Sequence, residues 1–414
     1  MELPRLFDVR MNYVRHGLAD VTGVLRKQLE TFAVPAGIRP GQTVAVTAGS
    51  RGITGLPVIL KTMVEWLRSK GLEPFVFPAR GSQGVATGGG VVGVLSAVGV
   101  SEASVGAPIR STVETVVVGT SAEGIPVHQD RAAHEADWVV VVNRVKRHTG
   151  FTGATGSGLL KMLAIGMGKP AGAQVVHSFG PVLGYEWAIQ SAGRKALEVT
   201  RVLCGVGLIE DAYGETAEIR VVGSGEFERT DRELLARSLS MTPGLPVEEV
   251  DLLIVDRMGK NISGTGMDTH TIGRLRTVGS ARPTKPRVRR VFVRELTPES
   301  EGNAIGIGLA DFTTDRLVAR MDYAATVTNC LTSMSPEQAQ IPVHYASDRE
   351  CIKRALAAVG AVATPSLRIL RIRDTSHVTA LKASEAVVRE LTGRQDVEVI
   401  GETVWTFDDA GNLV

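Results

Sequence analysis

Three short apolar runs in the first half of the chain, each followed by small or glycine-rich residues and then by a helical pattern, constrain the fold more than any other feature. TVAVTAGSRG (43–52) leads into LPVILKTMVEWLRSKG, PFVFPARGSQG (74–84) precedes VVGVLSAVG, and DWVVVVN (137–143) opens into a long glycine-rich loop and then LLKMLAIG. Strands without polar alternation must be covered on both faces, and their alternation with helical patterns predicts parallel strands. In such sheets ligands gather beyond the carboxyl ends of the strands, where all three loops would lie. SMTPGLPVEEV (240–250) combines proline and glycine before a new apolar run, DLLIVD, and marks the domain boundary. RRVFVREL (289–296), a helical pattern over Asp348–Val359, RILRIRD (368–374) and a helix near Ser384–Leu391 make the second half α/β as well. The expected fold class is therefore α/β, in two lobes with a mainly parallel sheet flanked by helices in each and the active site in the cleft between them. The expected domains are 1–245, a Rossmann-like α/β catalytic or cofactor domain, and 246–414, a C-terminal α/β domain.

Composition narrows the function classes. A chain of 414 residues with 43% hydrophobic and 22% charged residues is long enough for two domains and ordinary for a globular protein. Its net charge of +2 predicts no broad attraction to nucleic acid or membranes, so anion binding must come from local geometry. Cys204, Cys330 and Cys351 lack CxxC spacing, which argues against a disulfide framework and a cysteine zinc site. The opening MELPRLFDVR has no apolar core of a secretion signal, and no run reaches bilayer length, so a cytoplasmic location is expected.

The most informative segment is NRVKRHTGFTGATGSGLLKMLAIGMGKPAGAQVVHSFG (143–180). Gly150, Gly153, Gly156 and Gly158 lie between a buried strand and a helix, where backbone can approach a ligand and a helix start offers N–H groups to an anion. A glycine-rich turn is about as often a packing device, and no Lys-Ser or Lys-Thr pair makes this a Walker loop. Lys161, flanked by Leu159, Leu160, Met162 and Leu163, has the surroundings of a lysine with a lowered pKa. Its stem could equally cover the helix while the ammonium reaches water. His148 suits a general acid/base aimed into the crevice, or a surface histidine. His177, a single histidine in GAQVVHSFG, is by itself a poor metal candidate.

In the second half, MGKNISGTGMDTHTIGR (258–274) follows DLLIVD and carries Lys260 and Arg274 among glycines and hydroxyls, the pattern of an anion-receiving loop. Asp268 and His270 read as a polar pair or as turn formers. EGNAIGIGLADFTTDR (301–316) is too polar for ordinary core.

Taken in order, these loops resemble the nickel-pincer lactate racemase family, from about Val44 to about Val399. The likeness is strongest in RGSQGVATGGG, in NRVKRHTGFTGATGSGLLKMLAIGMGK and in GKNISGTGMD. The resemblance implies a nickel-pincer, nicotinate-derived mononucleotide bound covalently to Lys161, with nickel also held by His177, sixteen residues later. It implies that Gly156 and Gly158 border that cofactor, and that His148 is a catalytic acid/base. Arg51 and Lys260 would meet the anionic substrate or the cofactor. Where the family carries a second histidine, in a Gly-(Ser/Thr)-His motif, this chain has Gly81-Ser82-Gln83. Glutamine exchanges hydrogen bonds but does not cycle a proton as imidazole does.

The function so implied is a racemase or epimerase of 2-hydroxy acids working by hydride transfer, with a small anionic hydroxy acid as substrate and cofactor-synthesis proteins as partners. Gln83 keeps open a non-catalytic ligand-binding relative. A nicotinamide-dependent dehydrogenase ranks third, because no GxGxxG with a downstream ribose-binding acid follows an early strand.

Overall fold

Apolar residues on both sides of a strand need cover on both sides, and that requirement organises each half of the molecule. The computed structural model describes residues 3–49, 53–81, 95–96 and 98–414. These group into two compact units: Arg15–Thr242 with Thr332–Met334, and Met1–Val14 with Pro243–Leu331 and Ser335–Val414.

The chain opens with β1 (Leu6–Met11) and then builds the first unit from β2 (Thr43–Ala48), β3 (Glu73–Pro78), β4 (Thr115–Thr120), β5 (Pro126–Asp130), β6 (Trp138–Arg144), β7 (Val202–Glu210) and β8 (Thr216–Val222). Its main sheet runs β3-β2-β6-β7-β8, parallel except for β8, while β4 and β5 form an antiparallel pair. Val44, Val46, Val140 and Val142 pack in one core with the helix Leu56–Ser69. Their alternates Ala45, Val139 and Val141 join the helices Lys169–Leu183 and Tyr185–Val199 in another core. The period of two along each strand thus feeds two cores.

The second unit adds β9 (Glu249–Met258), β10 (Arg287–Leu296), β11 (Phe312–Thr314), β12 (Val343–Tyr345), β13 (Ile369–Asp374), β14 (His377–Ser384) and β15 (Val397–Thr403). Its sheet runs β12-β11-β10-β9-β13-β14-β1-β15. The first five strands are parallel; β14, β1 and β15 continue antiparallel. Leu252, Ile254 and Phe292 pack with the helix Asp348–Ala357, and Leu253, Val255 and Val293 with the helix Glu385–Leu391. Both units are therefore α/β with mainly parallel sheets flanked by helices.

The first strand joins the sheet of the second unit, with Val9 opposite Leu381 and Leu6 opposite Thr403. Sequence grouped these residues with the domain that follows them, because a local pattern identifies a strand without naming its hydrogen-bond partner. The three cysteines are free and buried. Among the described residues no helix is long and apolar enough to cross a membrane.

Candidate active site

Strand β6 delivers the chain to the glycine-rich loop at its carboxyl end. Lys146 and Ser157 exchange backbone hydrogen bonds of 3.0 and 2.8 Å, closing the base of that loop. A Cβ on Gly156 would stand 2.3 Å from the Lys146 carbonyl oxygen, so the close approach of the two strands of the loop demands glycine there. A Cβ on Gly158 would stand 2.3 Å from Asp231 Oδ1. Asp231, on the helix Phe227–Met241, accepts hydrogen bonds from Leu159 N at 2.8 Å and Leu160 N at 3.0 Å. Asn143 Nδ2 donates to the Gly158 carbonyl at 2.6 Å. Farther out, Glu186 Oε1 accepts from Thr155 N and Oγ1 at 2.7 and 3.0 Å.

The N–H groups that sequence left open for an anion are thus filled by the protein's own carboxylate. Burial pushes the Asp231 carboxyl up to about 6, against the pull of the two amides and with a small addition from Glu228. Where it is ionised, it opposes a second negative charge at the same helix start. Sequence reasoning missed Asp231. Its one signal was a carboxylate among Thr230, Leu234 and Leu235 on the buried face of an amphipathic helix.

From Leu159 the chain makes a single α-helical turn to Lys161, a π-helical turn over Met162–Gly166, and then the long helix Lys169–Leu183. π-Turns insert an extra residue into a helix and recur at functional sites. Leu160, Met162 and Leu163 are buried, and Lys161 stands among them part-buried. Its ammonium makes no hydrogen bond or ion pair with a described residue, and burial lowers its pKa to about 8. The lowered pKa leaves far more of the amine neutral near neutral pH than an ordinary lysine has, and the neutral amine is the nucleophile.

His177 lies on the following helix, close enough to Lys161 for that charge to act on the imidazole. Burial is the main cause of its pKa falling to about 4; the Thr332 carbonyl works against the fall and Lys161 adds to it. His177 Nδ1–H donates to Thr332 O at 3.1 Å. That bond fixes the tautomer and leaves the Nε2 lone pair for a ligand, the arrangement common to metal-binding histidines. Among the described residues no group of three or more His, Cys, Asp or Glu could hold a metal ion. A metal at His177 would take its other donors from something besides such a cluster.

Lys169, eight residues beyond Lys161, has the backbone φ of 55° that non-glycine residues rarely adopt. Its buried ammonium pairs with Asp130 at 2.9 Å and donates to the Pro78 carbonyl. It fastens the start of the His177 helix to β3 and β5.

His148 Nδ1 accepts from Gly150 N at 2.9 Å, and its ring stacks on Phe151 at 4.2 Å. In this arrangement the neutral ring carries its proton on Nε2 and presents a donor. Lys260 belongs to the second unit, where its Nζ donates to Gly264 O at 3.0 Å and its backbone N to Ser300 Oγ at 2.9 Å. The neighbouring Cys330 thiol is raised by burial to about 11, with Lys260 pulling the other way. Asp268 accepts from His270 N and Thr271 N, each at 3.0 Å, as a turn former does. Arg274 is committed to Asp311 and the Leu309 and Arg289 carbonyls, a staple and not an open anion receiver. Arg51 and Gln83 lie outside the described residues.

No protein-family model matches the chain, and no curated protein matches its sequence. Among solved structures it is similar to the lactate racemase apoprotein from Thermoanaerobacterium thermosaccharolyticum. That alignment covers 94% of this chain and 96% of that one, with 11% identity and a TM-score of 0.47. So loose a superposition does not decide a reaction.

Proposed function

We propose that the protein is a 2-hydroxy acid racemase or epimerase that holds a nickel-pincer mononucleotide at Lys161 and His177. The observation that carries this reading is the pairing of a part-buried lysine, without a partner among the described residues, with a part-buried histidine whose Nδ1 is tied to a carbonyl, across a π-turn and the helix it leads into. The donor set fits the group: an amine able to form a covalent bond, and one imidazole nitrogen free for a metal that takes its other ligands from an organic framework.

When bound, this group would supply a reversible hydride acceptor for the carbinol carbon of the substrate. The protein's part is orientation, charge and proton transfer. Lys161 would be the point of attachment, and His177 Nε2 would ligate the nickel. Lys260 and Arg51 are assigned to the substrate carboxylate, and Gln83 to a hydrogen bond near the hydroxyl. His148 is assigned the hydroxyl proton. To accept it at Nε2, the neutral ring must first give up the Gly150 N–H bond and move its own proton to Nδ1.

That condition favours a second reading. With Gln83 in place of a histidine and His148 presenting a donor, the chain would bind a hydroxy acid without racemising it. One experiment addresses both readings: co-expression with the cofactor-synthesis proteins, intact-protein mass, nickel analysis and turnover. An adduct mapped to Lys161, nickel lost in His177→Ala and interconversion of hydroxy-acid enantiomers support the racemase. An adduct without turnover supports the binding protein. A bare chain, with an active lactate racemase prepared alongside, rejects the cofactor reading.

A further inference from the structure

We infer that the second unit carries a separate binding site, for a small phosphoryl dianion such as a phosphate monoester or a diphosphate, at the carboxyl end of β9. The topology places it. From β9 the sheet grows through β10, β11 and β12 on one side, and the chain then returns to lay β13 on the other side, all five parallel. Strand β9 is therefore where successive connections change direction. In open α/β sheets the crevice beyond the carboxyl ends at such a point is where ligands bind.

A cavity of about 420 Å3 lies there, lined by Asp256 and Arg257 from β9, Arg294 and Glu295 from β10, and Arg371 and Arg373 from β13. All six stand at or near the last turns of their strands. Four guanidiniums against two carboxylates leave two positive charges, which match a dianion. The volume falls in the range of about 300–1,000 Å3 usual for small-molecule pockets. With the whole chain near neutrality, it suits a small molecule and not a polymer.

The arginines divide into a frame and a set of open forks. Arg294 is buried and committed, donating to Asp256 at 2.9 Å, Asp348 at 2.8 Å and the Leu413 carbonyl at 2.6 Å. Arg371 Nε donates to both oxygens of Asp256, at 2.9 and 3.1 Å. Asp256 is thus spent in holding two arginines in place. Glu295 is turned towards Arg316 and Arg320, 3.4 and 4.0 Å away. Arg257 has no hydrogen bond or ion pair with a described residue. Arg373 has only Asp374, at 3.7 Å. The two terminal nitrogens of Arg371 likewise have no described partner. Three guanidinium forks with donors to spare therefore line one crevice, and such forks receive phosphoryl oxygens in pairs. Solvated surface arginines are common. A frame of buried Arg294 with part-buried Asp256 and Arg371, standing beside such forks at a strand switch point, is not.

None of these residues belongs to the Lys161 and His177 site, so the inference stands or falls without the racemase reading. The test is calorimetric titration of the full-length protein with inorganic phosphate and with pyrophosphate at low ionic strength. Saturable binding at one site is expected, weakened about tenfold or more in Arg257→Gln/Arg373→Gln, since each charged fork donates strong hydrogen bonds to an oxyanion. The same double variant should keep its unfolding temperature without anion, because neither side chain holds the fold. Lys161→Ala should bind as the unsubstituted protein does. Absence of saturable binding at millimolar anion, equal affinity in the double variant, or loss of binding in Lys260→Ala in its place would each overturn the assignment.

Discussion

Two lysines eight residues apart, one just before the π-turn and one at the start of the helix after it, show how differently one fold can treat one residue type. Lys169 is buried with a carboxylate at 2.9 Å and a carbonyl, and Asp130 offsets part of the cost of burial. Lys161 has burial without a described partner, and its pKa falls to about 8. A paired buried lysine fastens elements together, its carboxylate partner working against the fall in pKa that burial causes. An unpaired one gives up part of its charge and gains a nucleophilic amine. The difference separates structure from chemistry within a single motif, LLKMLAIGMGK.

The sharpest test of that contrast is substitution at both positions. Lys161→Met should abolish cofactor loading and turnover completely, read by intact mass and a hydroxy-acid assay, while the unfolding temperature stays level or rises. Lys169→Met should act through stability, because it strands Asp130 uncompensated in the core. Breaking one partner of a buried pair costs about 3–5 kcal/mol. Denaturant unfolding measures it, and a loss below about 1 kcal/mol would contradict the fastening role.

Asp231 offers an intermediate effect. Asp231→Ala removes the acceptor of two buried amides, and about 1–3 kcal/mol of stability should go with each group left unpaired. Its pH dependence has a definite sign. The folded carboxyl titrates at about 6 and the unfolded one at 3.8, so the folded state binds more protons between those values. Its contribution to stability therefore falls as pH rises from about 4 to about 6. Unfolding curves of Asp231→Asn across that range should lack this component of the slope.

The smallest effect is a rate. Labelling of lysines with an amine-reactive reagent, followed by mass spectrometry, should show Lys161 reacting with a half-maximal pH of about 8. The neutral amine is the reactive form, so its rate rises through that value. Titration near the ordinary lysine value of 10.5 would contradict the lowered pKa of Lys161.

Much of this was legible in order along the chain. The β2, β6, β9, β10 and β13 segments announce themselves as apolar runs, and the Lys161 loop as a break between a strand and a helix. The role of Gly158 was not legible. Its hydrogen atom faces Asp231, 73 residues later, and the same carboxylate takes the amides that an anion would otherwise use. Nor could the sequence distinguish the two lysines of one motif, since the partner of Lys169 lies on β5.

By itself the sequence determined the class of the fold and the segment in which chemistry is concentrated. Hydrophobic period and glycine placement are local properties, set within a few neighbouring residues. Only the tertiary structure decided which charges are satisfied. It put β1 into the sheet of the second unit, closed the expected anion cradle with Asp231, and gave Lys169 a carboxylate where Lys161 has none among the described residues. It also brought Arg257, Arg371 and Arg373 to one crevice from two strands far apart in the sequence. Desolvation and pairing act over a few ångströms in space, between residues that the chain keeps far apart.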